Sequence, residues 1–120
     1  MNRTLLSMVA AAGFACCAGT VEASAYWLNG VTIKTIYPYN GGSFVMTLSS
    51  NPSACTSTIT PDKYFYTTVN AAPNGTTTTD TGARSLLAVA MQASALGKTV
   101  DVLFDTATSY CYVQAMIMHN

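Results

Sequence analysis

Charge is what this chain has least of. Only 8% of its 120 residues are Asp, Glu, Lys or Arg, and five basic residues balance five acidic ones. Such a surface has nothing with which to neutralise a phosphate backbone, so nucleic-acid partners are not expected. A polybasic membrane patch is missing for the same reason. Histidine is almost absent. The single one, His119, is the penultimate residue, where fraying makes a poor general base or metal ligand. There is no Gly-rich phosphate loop and no nucleophile elbow, and no serine has a histidine placed to activate it. The residues supply no catalytic set, no metal site and no cofactor motif, and an enzyme is not expected.

Long apolar runs are scarce too. The longest, Leu5 to Ala18, is about 14 residues, short of the roughly 20 needed to cross a bilayer. It follows Arg3 and precedes Ala23-Ser24-Ala25, a small-x-small site. Residues 1–25 therefore read as a secretory signal peptide cleaved near Ala25, with the exported product beginning at Tyr26. Cys16 and Cys17 end the apolar run, but Gly13 and Phe14 before Ala15-Cys16 suit lipid attachment poorly, and ordinary cleavage is the favoured reading. The product carries Lys34, Lys63, Arg84 and Lys98 against Asp62, Asp80, Asp101 and Asp105, a net charge of zero. A surface so short of charge stays soluble through Thr, Ser and Asn, or hides area against another subunit.

Cysteine is rare as well. Once the leader is removed, Cys55 and Cys111 are the only two, and two allow one pairing. A single domain of residues 26–120 buries a marginal core, and an exported chain of this size is expected to be stapled. Closing the loop between these cysteines stabilises by on the order of 4 kcal/mol in the chain-entropy account.

What the sequence does have is period-two patterning. Val31, Ile33 and Tyr37 fall on one face of a strand, opposite Thr32 and Lys34. Asn40-Gly41-Gly42 marks a turn, and Phe44, Met46 and Leu48 alternate with Val45 and Thr47 in a hairpin partner. Cys55 to Thr60 reads as a short third strand, with Tyr64 to Val69 its continuation or a further strand. Ala71 to Gly82, with Pro73, Asn74-Gly75 and a threonine run, reads as a surface loop. One helix is expected from Ala83 to Leu96, capped by Asp80 or Thr81 and ended by Gly97-Lys98. It is apolar around most of its circumference, which either a partner subunit or the tolerance of small alanines for water would accommodate. Val100, Val102 and Phe104 then alternate with Asp101 and Asp105. A last strand from Tyr110 is expected to turn Cys111, Val113, Ala115 and Ile117 inward. Asp101 and Asp105 share a strand face, which exposed strand charges explain more simply than a carboxylate pair for glycoside chemistry.

Mainly β with one helix (α+β) is thus the expected class. Three strands, a helix and two strands match a small five-stranded OB-like barrel with the helix between strands 3 and 4. Tyr26, Trp27, Tyr37, Tyr39, Tyr64, Tyr66, Tyr110 and Tyr112 supply flat apolar area with hydrogen-bonding tips, which suits sugar faces and protein partners alike.

One passage carries a resemblance. Leu86-Leu87-Ala88-Val89-Ala90-Met91-Gln92-Ala93, followed by Leu96-Gly97-Lys98-Thr99-Val100-Asp101-Val102, resembles the helix-Gly-Lys/Gln-x-Val-x-Val passage of the pentameric binding subunits of AB5 toxins of the subtilase-cytotoxin and typhoid-toxin type. Trp27 near the mature terminus and an inward cysteine before the helix are similar too. The resemblance implies an OB-fold binding subunit that recognises sialylated cell-surface glycans as a ring of five. It assigns no ligand-binding residue here. The residues by themselves leave two readings open: a secreted oligomeric binding subunit, or a small periplasmic or surface protein with a structural, inhibitory or protein-partner role.

Overall fold

The computed structural model describes residues 25–71 and 77–120. The expected leader as far as Ser24, with Cys16 and Cys17, and residues 72–76 of the expected loop lie outside them. The described chain is mainly β with one helix: β1 (Ala25–Val31), β2 (Ile33–Pro38), β3 (Phe44–Leu48), β4 (Phe65–Thr67), α1 (Asp80–Leu96), β5 (Val100–Asp105) and β6 (Val113–Met118). Two three-stranded antiparallel sheets form, ordered β1-β5-β6 and β2-β3-β4.

Six strands stand where five were expected, and among the described residues no closed barrel forms. The extra strand comes from the first one, which breaks at Thr32 and passes from one sheet to the other. Gly30 takes a left-handed φ of 66°, which costs glycine least, and the register with β5 shifts between Leu28 and Val31. The Gly30 amide donates to Asp101 Oδ1 at 2.8 Å. Thr32 leaves both ladders: its amide donates to Ser49 Oγ at 3.0 Å, and its carbonyl accepts from the Ser49 amide at 2.9 Å.

A second shift, between Ile33 and Thr35, reverses the side-chain phase within β2. Ile33 is buried, but Tyr37 is 44% exposed and does not share the inward face of Val31 and Ile33. One extra residue at a bulge is enough to move every later side chain to the opposite face. The hairpin to β3 forms as expected, with Gly41 at φ 92°, Gly42 at φ 97° and the Tyr39 amide donating to the Ser43 carbonyl at 2.8 Å.

Cys55 to Thr60 is not a strand. Its backbone is bent, with the Cys55 amide donating to the Pro52 carbonyl at 3.1 Å, and the carbonyls of Pro52 and Cys55 accept from Lys63 Nζ at 2.9 and 2.6 Å. The segment between β3 and β4 is a strap: Ala54 and Cys55 join the core, and Thr60 to Tyr64 come up beside Thr35, Tyr37 and Thr47 of the outer face. With the strap beside Thr47, and Tyr37 and Tyr66 flanking Val45, all five residues of β3 are buried.

The helix begins three residues before the expected Ala83. Thr79, not Asp80 or Thr81, is its cap: Thr79 Oγ1 accepts from the Gly82 amide at 2.9 Å, satisfying one of the orphan donors of the first turn. Asp80 lies one residue inside, where it favours the helix dipole and pairs with Arg84 at 2.9 Å. Gly97 ends the helix in the left-handed region as expected, with the Lys98 amide donating to the Ala93 carbonyl at 2.9 Å. Only Ala83, Ala90 and Ala93 are fully buried; Met91 and Leu96 remain more than half exposed.

In β6 a bulge opposite Leu103 and Phe104 again reverses the phase. Val113 faces inward, but Met116 and Met118, not Ala115 and Ile117, pack against the core, and Ile117 is 49% exposed. The sheets meet through the fully buried Phe65 and Phe104, whose rings lie edge to face at 5.2 Å. Beside them is the Cys55–Cys111 disulfide, with Cα atoms 5.6 Å apart and both residues without exposed area. Cys111 lies just before β6, at a positive φ of 47°, and the bond ties the strap to the sheet opposite.

Candidate functional site

The outer face of the β2-β3-β4 sheet gathers aromatics that are scattered in sequence. Tyr37 on β2 and Tyr66 on β4 flank Val45 in register. Tyr64 enters from the end of the strap, and Tyr110 and Tyr112 arrive from the turn before β6. Centroid separations of 5.8 Å (Tyr37–Tyr64), 6.1 Å (Tyr64–Tyr66), 5.4 Å (Tyr66–Tyr110) and 5.4 Å (Tyr110–Tyr112) make one unbroken row. These distances fall in the range of favourable aromatic pairs. The row bridges the gap between β4 and β6, where the Tyr66 amide donates to the Tyr110 carbonyl at 3.3 Å.

Tyr64, Tyr66 and Tyr112 hold their protons more tightly than a free phenol. The neighbouring Tyr37 raises the pKa of Tyr64, assisted by burial and by a hydrogen bond between the two. Burial raises Tyr66, with Tyr39 and other phenols adding to it. Burial likewise raises Tyr112, with Tyr110 and Asp105 beside it. A phenol hydroxyl both donates and accepts, so the row presents flat rings with two-way hydrogen-bonding tips.

At the Tyr37 and Tyr64 end the row opens into a pocket of about 170 Å³ lined by Thr35, Tyr37, Thr47, Thr60, Pro61, Asp62 and Tyr64. Thr35 and Thr47 are cross-strand partners whose hydroxyls are hydrogen-bonded to each other. Asp62 is held by Lys34 Nζ at 2.8 Å, and that bond keeps its carboxyl below the ordinary range, with Asn51 Nδ2 contributing at 3.4 Å against the opposing effect of burial. Asn51 also accepts from the Lys63 amide at 2.9 Å. The strap that forms one wall is thus fastened at Asn51, Lys63 and Cys55.

Of the eight aromatics singled out in the sequence, five form the row. Tyr39 sits in the hairpin turn nearby, 59% exposed. Tyr26 and Trp27 belong to the other sheet: Tyr26 packs on Phe104 at 5.5 Å, and Trp27 is 42% exposed on the outer face, in register with Leu103 and through it with Ala115. Sequence reasoning did not single out Thr35, Thr47, Thr60 or Asp62. One signal was available, since Thr35 and Thr47 are placed symmetrically about Gly41 and a hairpin there must pair them.

Asp101 and Asp105 are not a pair of exposed strand charges. Asp101 accepts the Gly30 amide, the largest cause of its lowered pKa, and lies 2.8 Å from His119 Nε2. Asp105 is 1% exposed and accepts the Ala107 amide at 2.6 Å. His119 is held at both ends, its amide donating to the Thr99 carbonyl at 3.0 Å. Among the described residues no His, Cys, Asp or Glu cluster could hold a metal, and no helix is long and apolar enough to cross a membrane. Compared with protein-family models, curated proteins and solved structures, the chain gives no match in any of the three.

Proposed function

We propose that this is a secreted, non-catalytic binding protein that recognises cell-surface glycans along the tyrosine row and in the pocket at its end. The observation that carries this reading is the continuity of the row from Tyr112 to Tyr37 into a cavity lined by threonine hydroxyls, a carboxylate and two phenols. Sugars present apolar C–H faces and polar edges together, and this surface offers both complements in one line. A buried disulfide suits an oxidising compartment, in agreement with the leader read in residues 1–25.

The element order supports the toxin-subunit form of the proposal. β1 and β2 act as halves of one bent strand serving both sheets, and α1 falls between β4 and β5. The exposed Met91 and Leu96, with a hollow of about 270 Å³ between Ile36, Pro38 and the helix residues Met91, Ser94 and Ala95, would be covered by self-association, a ring of five if the resemblance holds. A glycan array probed with purified protein, together with its native mass, tests both parts. Bound glycans and a closed oligomer are expected, and silence on every glycan sinks the sugar reading. The second reading, a protein-partner role, is favoured by the outer face of the other sheet, where Trp27, Leu103, Ala115 and Ile117 form an apolar stripe. A protein bound with Trp27 at its centre would support it.

A further inference from the structure

We infer that the pocket beside Tyr37 and Tyr64 takes an uncharged, hydroxyl-rich sugar ring and discriminates against a carboxylated one such as sialic acid. This rests on the carbohydrate reading above and sets the class of sugar. The lining contains one charged group, Asp62, with three threonines, two tyrosines and a proline. An anionic sugar needs a cation or a cluster of committed donors, and the cations at hand are occupied. Lys34 Nζ is bound to Asp62 Oδ2 at 2.8 Å. Lys63 Nζ is turned to the carbonyls of Cys55 and Pro52 at 2.6 and 2.9 Å. Among the described residues no cation lines the cavity itself.

A guest carboxylate would therefore approach Asp62 in a lining that contains no cation, and like charges at such range repel. A neutral ring meets the opposite situation. Its hydroxyls can donate to the Asp62 carboxylate, which accepts only, and can trade hydrogen bonds with Thr and Tyr hydroxyls in either direction. Its apolar face can lie on Tyr37 or Tyr64. The volume of about 170 Å³ is below the roughly 300–1,000 Å³ of pockets for drug-sized ligands, which suits a single ring, with further units lying along the tyrosine row.

The test is an array carrying each neutral oligosaccharide beside its sialylated counterpart, followed by titration of the strongest pair. The neutral member is expected to bind about tenfold more tightly, a figure reduced for the pocket's exposure to solvent. Two variants move the preference in opposite directions. Asp62→Asn removes the repelling charge and frees Lys34, so the neutral-to-sialylated ratio falls toward one or below. Lys34→Met leaves Asp62 uncompensated, so the ratio rises. Simple loss of folding cannot produce opposite shifts, and a thermal melt of each variant checks for it. Preference for the sialylated member, or a ratio unchanged in both variants, overturns this inference while leaving the glycan reading intact. Silence on all glycans overturns both.

Discussion

The two sheets share a core and differ on the outside. On β2-β3-β4 the outer face is walled on one side by a strap and set with phenols, threonines and the Lys34–Asp62 pair. On β1-β5-β6 no strap lies over it among the described residues, and an apolar stripe with Trp27 and Ile117 almost half exposed runs beside the Asp101–His119 pair. Both faces come from alternating strands, so patterning does not separate them. What separates them is the segment from Ser49 to Tyr64. It has two prolines and a bent backbone held by Lys63 and Asn51, and instead of adding a strand it builds a wall. A wall makes a cavity, while a bare sheet makes only a surface.

The largest expected effect removes what holds that wall. Replacing Cys55 and Cys111 together by serine should cost about 4 kcal/mol in denaturant unfolding and loosen the strap more than the distant sheet. Hydrogen exchange localised to residues 50–64 would show the asymmetry, and uniform loosening would break the comparison. Next, Tyr64→Ala and Tyr66→Ala should each weaken glycan binding about tenfold, since stacking and hot-spot aromatics typically contribute 1–3 kcal/mol. Trp27→Ala should leave that binding unchanged, and equal losses from both faces would refute the assignment of the site to one sheet.

Acid probes one carboxylate on each sheet. Asp62 and Asp101 both have folded pKa values below the ordinary 3.8, the first through Lys34 and the second through the Gly30 amide and His119. The stability they contribute is fully present above the unfolded value and is lost as pH falls through the lowered folded values. Asp62→Asn and Asp101→Asn should each flatten the acid limb of a stability-against-pH curve below about pH 4, and an unchanged limb would contradict the pairing. The smallest effect concerns Thr67, whose buried hydroxyl has no hydrogen-bond partner among the described residues. Thr67→Val should raise stability by about 1 kcal/mol without altering binding, read from the same unfolding curves.

Much of the fold was legible. The hairpin about Gly41-Gly42, the helix ending at Gly97, the strand from Val100 and the Cys55–Cys111 bond each rest on a local or arithmetic signal. The departures have two causes. Tyr37 and Ile117 face away from the core because a bulge in each strand inserts one residue, and a bulge leaves no mark in an alternating pattern. The β-branched residues of Cys55 to Thr60 resemble a strand, whereas the segment pairs with no strand and its Cys55 carbonyl is taken by Lys63. The candidate site was half legible: the tyrosines stood out as a type, but Thr35, Thr47, Thr60 and Asp62 look like ordinary surface residues until the strap brings them together.

By itself the amino-acid order settled the class of elements, the helix end and which sulfurs could pair, because those depend on near neighbours, turn chemistry and counting. Only the tertiary structure decided that five tyrosines separated by up to 75 positions stand in one row, and that one sheet carries a walled pocket while the other lies open. Those outcomes depend on register and on long-range hydrogen bonds, each chosen by the packing of the whole and not by the residues adjacent in the chain.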